Sequence, residues 1–369
     1  MSASDRSTNV DRAARVAELK RFALEALPSM QLEDGSFCFE AVREQTRPRG
    51  RSLRYSLIVL IGLLRAQGHG LEAPVHTGRL RSRILSELGS VALSPGDLGL
   101  ALWAESRADG RATDELVGAL AQSLNGGSRL ERLLSMEVAW IVMGLVEAGA
   151  RAEIGAGSEI LGWARRQLLE KRRDRSGLLT HTARGPRRRL PHFADQIYGL
   201  MALCRLALSR GDDDARDAAR ALGEKLVDLQ MPNGAWPWIC DPVRGTVVEP
   251  YELYSIHQDS MAMLGLNALS EATGDPRYRA AAARGMDWNY GQNELGVEMF
   301  DREAGLIYRS IRRKQRFHRA RQARNAAAAY LGAKPRLASP RELEVNRTMR
   351  PYHLGWILEA WCGREDLAS

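Results

Sequence analysis

Carboxylates and histidines recur in this chain at one kind of position, the first turn of an otherwise apolar stretch. Asp97 precedes LGLALW, Glu137 lies in MEVAWIVMGLVEAG, and His192, Asp195 and Gln196 open IYGLMALC. His257, Gln258 and Asp259 open SMAMLGL, and Tyr352 and His353 open LGWILEAW. A carboxylate in a first turn can simply cap its helix, which stabilises by about 1 kcal/mol. Two carboxylates facing each other across a sugar would instead act as general acid and base on a glycosidic bond. A His or Tyr base, with an arginine neutralising a substrate carboxylate, would suit uronate elimination or epimerisation. The candidate catalytic residues are therefore Asp195, His257, Asp259 and Glu137.

The loops between these stretches add candidate binding groups. GAWPW presents Trp236 and Trp238 between two prolines, and indoles in a loop suit stacking on sugar rings. Tyr251, Tyr254 and His353 can bound a substrate, and Arg309, Arg312 and Arg313 can hold a carboxylate or phosphate. Cys240-Asp241 with His257 or His353 could be assembled into a zinc set, but no spacing demands it. No Gly-rich phosphate loop appears. The expectation is an enzyme with no metal and no cofactor.

The elements that must position these groups are helices. Apolar residues recur at spacings of three and four from about 10 to 27, where Pro28 ends the helix. Further amphipathic helices are expected near 74–89, 109–124, 156–171, 214–229 and 276–291. Between them come helices that are apolar nearly all round, near 55–66, 98–106, 136–149, 195–208, 257–272 and 351–362. A helix of the second kind is buried on all sides. Six of each, in alternation, predict an all-α (α/α)6 toroid with six inner and six outer helices. An internal repeat supports the count: at an offset of 62, Gln196 falls on Gln258, Gln230 on Gln292 and Gly234 on Gly296. Short strands are expected only in the long loops, at 234–254 and 297–311. The long connections (28–54, 172–192, 230–256, 292–350) all lead into apolar helices, so they gather on one face with the candidate residues.

Composition bounds the rest. The chain has 369 residues, 44% hydrophobic and 27% charged, with a net charge of +8 carried mostly by arginine. That charge suits an anionic substrate; a nucleic-acid partner is not expected, and the basic segment 309–325 reads as an arm or lid. The four cysteines form no CxxC pair, and no apolar run approaches a spanning helix. The polar N-terminus lacks the apolar core of a signal peptide, so a cytoplasmic location is expected. The expected organisation is one toroid domain over 10–363, with 1–9 a disordered N-terminus, 292–350 a basic loop or lid and 364–369 a tail. Oligomeric state is not legible.

The hairpin plan resembles the α/α-toroid superfamilies: six-hairpin glycosidases, alginate-lyase-like and glucuronyl-epimerase-like enzymes, and terpenoid cyclases with prenyltransferases. Gln230-x3-Gly234-x-Trp236 looks like the QW motif of triterpene cyclases, and Gln31-x3-Gly35-x-Phe37 is a near match. In those proteins the motif ties outer helices to the following loop. The cyclase DxDD motif is absent, as is the Cys-His pair of lanthionine cyclases, and the prenyltransferase zinc set is not clearly present. Asp213-Asp214-x-x-Asp217 has the letters of DDxxD but lies on the turn opposite the mouth, where it reads as helix capping. TGDPRYRAAAARGMDW resembles hairpin turns of glycosidase and epimerase toroids. The resemblance thus implies a hydrolase, lyase or epimerase acting on an oligo- or polysaccharide, expected to be anionic. The alternatives are a toroid handling an isoprenoid and a non-catalytic binding scaffold; the scaffold would have each mouth carboxylate capped to backbone amides, without convergence on one pocket.

Overall fold

The computed structural model describes residues 3–43, 48–87, 93–125, 127–314, 324–325, 327–328, 332–333 and 335–364. Much of the basic 309–325 segment, the end of the expected 74–89 helix and all but the first residue of the 364–369 tail lie outside the described residues. Twelve α-helices are described: α1 Ala3–Ala26, α2 Leu53–Gly68, α3 Thr77–Leu85, α4 Pro95–Arg107, α5 Thr113–Leu124, α6 Ser135–Gly149, α7 Ala156–Arg166, α8 Phe193–Arg210, α9 Asp213–Leu229, α10 Ala262–Thr273, α11 Arg277–Asn289 and α12 Pro351–Trp361. Nine short strands lie in the loops: β1 Ala41–Val42, β2 Ile239–Asp241, β3 Thr246–Glu249, β4 Leu253–Tyr254, β5 Phe300–Asp301, β6 Leu306–Ile307, β7 Ser310–Arg313, β8 Leu343–Asn346 and β9 Thr348–Met349. The expected twelve helices are therefore present, with ends moved by a few residues. None of the described helices is long and apolar enough to cross a membrane.

The chain divides into two compact units. The larger comprises Leu93–Glu298 and Ser310–Asn346. In it α4, α6, α8 and α10 pack side by side, and each packs against the helix that follows it. The pattern follows from composition. Helix α6 buries twelve of its residues, including Val138, Trp140, Ile141, Val142 and Leu145, round its whole circumference. Helix α9 buries one stripe, Ala215, Ala218, Ala219, Leu222 and Leu226. The loops carry a β2–β3 hairpin and an antiparallel sheet of order β4-β7-β8, with Leu253 opposite Ile311 and Ile311 opposite Val345. The smaller unit comprises Met1–Ala92, Met299–Arg309 and Arg347–Ser369. In it α2 packs on α12, α12 on α1, and strands β1–β9 and β5–β6 pair.

Two helices begin or end differently from the simple α-pattern. Helix α7 passes into a π-helical turn at Gln167–Arg172, and α10 is preceded by one at His257–Met261. A π turn widens the helix by one residue and re-aims the side chains around it.

Repeated glutamines hold the loops to the helices. Gln230 Nε2 donates to the Gly234 and Ala281 carbonyls, each at 2.8 Å, and Gln31 Nε2 donates to the Gly35 carbonyl at 2.9 Å. This is the tie that the QW resemblance implies. Gly234 is required: its φ is +85°, and a Cβ there would lie 2.3 Å from the Arg284 carbonyl oxygen. A second staple recurs one step on. The backbone N–H of Phe37, Leu179 and Trp236 donates to Ser56 Oγ (2.9 Å), Gln196 Oε1 (2.8 Å) and Gln258 Oε1 (3.1 Å). Ser56, Gln196 and Gln258, each near the start of an apolar helix, are all fully buried and fix loops.

The Asp213/Asp214 run does serve the start of α9, but the cap is Asp212, which accepts from the Ala215 N–H at 3.1 Å. Arg165 binds Asp212 through Nε (2.5 Å) and reaches Asp214 (2.9 Å). The Arg165 contact, ahead of the cap, holds the Asp212 pKa below its usual 3.8 despite burial. Asp212→Asn is expected to lose about 1–2 kcal/mol at neutral pH. A lowered folded pKa stabilises above the unfolded value and is lost as pH falls through the folded one. The melting-temperature gap between the two proteins should therefore shrink as pH drops below 3.8.

Candidate active site

Asp195, His192, Trp238, Tyr254 and His257 come together around the loop that leads into α8. Residues 173–192 form a long connection into α8, and backbone hydrogen bonds hold much of it. Thr180 N–H donates to the Arg172 carbonyl (2.8 Å), His181 N–H to Arg188 (3.0 Å), and the Ser135 N–H to the His181 carbonyl (2.9 Å). These bonds bring His181 under the start of α8. Its Nδ1 lies 2.7 Å from Asp195 Oδ2, and both side chains are buried. Asp195 also accepts from the backbone N–H of His192 (2.9 Å) and of Met136 (3.3 Å). With Nδ1 fixed by the carboxylate, the lone pair of His181 is directed to Nε2, which is buried and has no hydrogen-bond partner among the described residues.

From His181 a run of rings crosses the site. His181 and His192 have ring centroids 4.9 Å apart. His192 stacks on Trp238 at 5.2 Å and 19°, Trp238 meets Tyr254 edge-on at 6.1 Å, and Tyr254 lies 5.1 Å from His257. Phe193 closes the back, 4.7 Å from His257 and 5.6 Å from Trp236. Backbone pairing sets the run: Phe193 N–H donates to the Trp238 carbonyl (2.8 Å), and His192 bridges Ile239. Ile239, Val248 and Leu190 pack beneath Trp238. His192, Trp238 and Tyr254 are partly exposed, whereas His257 is nearly covered.

Burial dominates the electrostatics. It pushes the His192 imidazole down to about 4, against the opposing pull of the Asp195 carboxylate, so His192 is neutral at neutral pH. Arg172 is fully buried and donates to the Leu133 carbonyl (3.0 Å) and to Gln167 Oε1. Burial lowers it to about 10 while Asp195 and Glu137 raise it, so it stays cationic and balances the two carboxylates. Cys240 is pushed up to about 12 by burial, which keeps its thiol protonated, and the neighbouring Asp241 is engaged by Arg189 (2.6 Å) and Arg244 (3.5 Å).

The other candidates fall in several places. Glu137 accepts from the Leu134 N–H (3.0 Å) and Asp97 from the Ser94 N–H (3.3 Å), each the capping arrangement of its own helix. Asp259 is fully buried and accepts from Asn289 Nδ2 (2.7 Å) on α11, which ties it to the outer helix. Trp236 is 1% exposed and packs behind Phe193, leaving Trp238 as the indole on the run. Tyr251 is buried under the Arg313 guanidinium (4.7 Å) and pushed up to about 12 by burial. Arg313 also donates to the Arg336 carbonyl (2.6 Å), and Arg312 pairs with Glu344 (2.9 Å). Arg309 and His353 belong to the smaller unit. There His353 is buried in the first turn of α12, beside a stack in which Tyr55 lies 4.5 Å from Tyr352 and 5.6 Å from Phe39. His181 was missed because it sits in a basic loop, away from any helix start. Its only signal was that this loop is one of the long connections.

No protein-family model and no curated protein sequence matches this chain. Solved structures do. A cellobiose 2-epimerase from Bacillus thermoamylovorans matches with a TM-score of 0.67 at 12% identity, over 95% of this chain and 99% of that one. A sugar epimerase from a ruminal bacterium matches with a TM-score of 0.63 at 11% identity, over 95% and 99%. A glycosyl hydrolase family 88 protein from Bacteroides vulgatus matches with a TM-score of 0.61 at 11% identity, over 96% and 99%. At these identities the likeness is one of fold, the six-hairpin (α/α)6 toroid.

Proposed function

We propose that this protein is a carbohydrate-active enzyme in which histidines, not a carboxylate pair, move the proton. The observation that carries the reading is the run His192–Trp238–Tyr254–His257, backed by the buried His181–Asp195 pair. Hydrolysis by two carboxylates needs two carboxyl groups facing the substrate. Asp97, Glu137 and Asp195 instead accept backbone N–H groups at helix starts, and Asp259 accepts from Asn289. Imidazoles alternating with an indole and a phenol offer a sugar both a stacking surface and proton-transfer groups. That wall is more polar than an isoprenoid pocket requires. Among the fold neighbours, two are by name a sugar epimerase and a cellobiose 2-epimerase.

The reaction class this supports is proton transfer at the carbon next to a sugar carbonyl. His192 takes that proton from an open-chain aldose, and the C–H electron pair becomes the enediolate. His257 returns a proton to the opposite face of the same carbon, which inverts it. Elimination from a uronate begins with the same abstraction and needs a cation on the carboxylate. Because Arg312 and Arg313 are already engaged, a neutral sugar is the better fit.

The test is incubation with aldoses and reducing disaccharides in D2O, read by mass and NMR. A deuterium at the carbon beside the carbonyl, with a second epimer appearing, is expected; cleavage without exchange would return the assignment to hydrolysis. Trp238→Ala should lower kcat/KM about 10–100-fold, since it removes the stacking surface and loosens His192, whereas Trp238→Phe should keep most of the activity.

A further inference from the structure

We propose that His181 and His192, oriented by Asp195, form a binding site for a divalent late-transition-metal ion of the zinc class. One ring nitrogen each of His181 and His192 and a carboxylate oxygen of Asp195 lie within 4.8 Å of one another, so the two imidazoles that would ligate share one cluster with the carboxylate behind them. An ion held tetrahedrally at ordinary bond lengths of about 2.0–2.1 Å wants its ligand atoms roughly 3.4 Å apart. Closure to that spacing requires the partly exposed His192 ring to turn between its two neighbours, His181 at 4.9 Å and Trp238 at 5.2 Å.

The second observation concerns His181 alone. Its Nε2 is buried without a hydrogen-bond partner among the described residues, while its Nδ1 is fixed on Asp195 at 2.7 Å. A buried nitrogen lone pair with nothing to accept from is unfavourable. A metal ion satisfies it. A carboxylate behind the far nitrogen is also the arrangement that fixes the tautomer and raises the basicity of a ligating imidazole. Asp195 keeps that outer role because its oxygens already accept from the backbone of His192 and Met136. Water or a sugar hydroxyl would complete the coordination.

The proposed function adds one consequence, which rests on that reading. An ion on His192 occupies the lone pair needed for proton transfer, so the metal acts as a reversible inhibitor. Binding itself does not depend on the reading.

The experiment is calorimetric titration of ZnCl2 into the chelator-treated full-length protein, with Co2+ absorption as a readout of coordination. One saturable site is expected, weakened at least tenfold in His181→Gln and in His192→Gln. His76→Gln, which alters an exposed imidazole, should bind as the wild type does. Circular dichroism melts establish that each variant is folded; should His181→Gln fail to fold, His192→Gln with the Co2+ spectrum decides. Absence of saturable binding, or wild-type affinity in His192→Gln, overturns the site. Deuterium exchange measured without metal is independent of this outcome, so a failed metal site and a failed enzymatic reading are told apart.

Discussion

His192→Gln and His257→Gln are expected to split one activity into two different losses. If His192 removes the proton and His257 returns it to the other face, His192→Gln should lose both deuterium exchange and epimer formation, by about 10²–10⁴-fold. His257→Gln should keep exchange, because the proton can return from the face it left, while inversion falls by a similar factor. With the opposite epimer as substrate the two phenotypes should change places. Two variants that both retain inversion at the wild-type rate would remove histidine-mediated transfer from consideration. Asp259→Asn makes the contrast: its carboxylate is held by Asn289 of α11, so the expected loss is thermal stability with kcat little changed.

Gly144→Ala should give a large loss of stability. A Cβ at Gly144 would lie 2.2 Å from the Gly99 carbonyl oxygen and 2.9 Å from Leu102 Cβ, so α4 and α6 must separate to admit it. Overpacking of a close-packed core costs typically 1–3 kcal/mol, and a backbone contact belongs at or above the upper end, about 3 kcal/mol. Gly118 on α5 has nothing within 4 Å of its would-be Cβ. Gly118→Ala should therefore be neutral or stabilising by up to about 1 kcal/mol, from helix propensity alone. The pair can be compared by thermal melts. Equal melting temperatures would mean that α4 and α6 do not approach as described.

The two fully buried glutamines show how a sequence repeat becomes geometry. The offset of 62 that superposes Gln196 on Gln258 also places Asp195 on His257 and His192 on Tyr254. The structure gives the matched residues matched settings: each glutamine staples the preceding loop, and His192 and Tyr254 both flank Trp238. On this register Asp259 has no acidic counterpart in the fourth hairpin; it falls on Ile197, a position that turns away from the site. Grouping Asp195 with Asp259 by residue type hid that difference, whereas the repeat carried it. Trp236 and Trp238 differ for a related reason. They are two residues apart in an extended loop, where alternate side chains can share a face, yet the staple at Trp236 N–H turns its indole into the core.

What the amino-acid sequence determined on its own was the fold. Helices apolar all round and helices apolar on one stripe alternate along the chain, and burial demands that the first kind be enclosed by the second. The positions of the long loops followed too, since each precedes an apolar helix. What only the tertiary structure decided was which polar groups face one another. A first-turn carboxylate reads the same whether it caps its own helix, as Glu137 does, or also holds a histidine, as Asp195 does. The partner of Asp195 comes from a loop fourteen residues earlier in the chain, and the partner of Asp259 from a helix thirty residues later. Those distances are closed by packing, and no local periodicity records them.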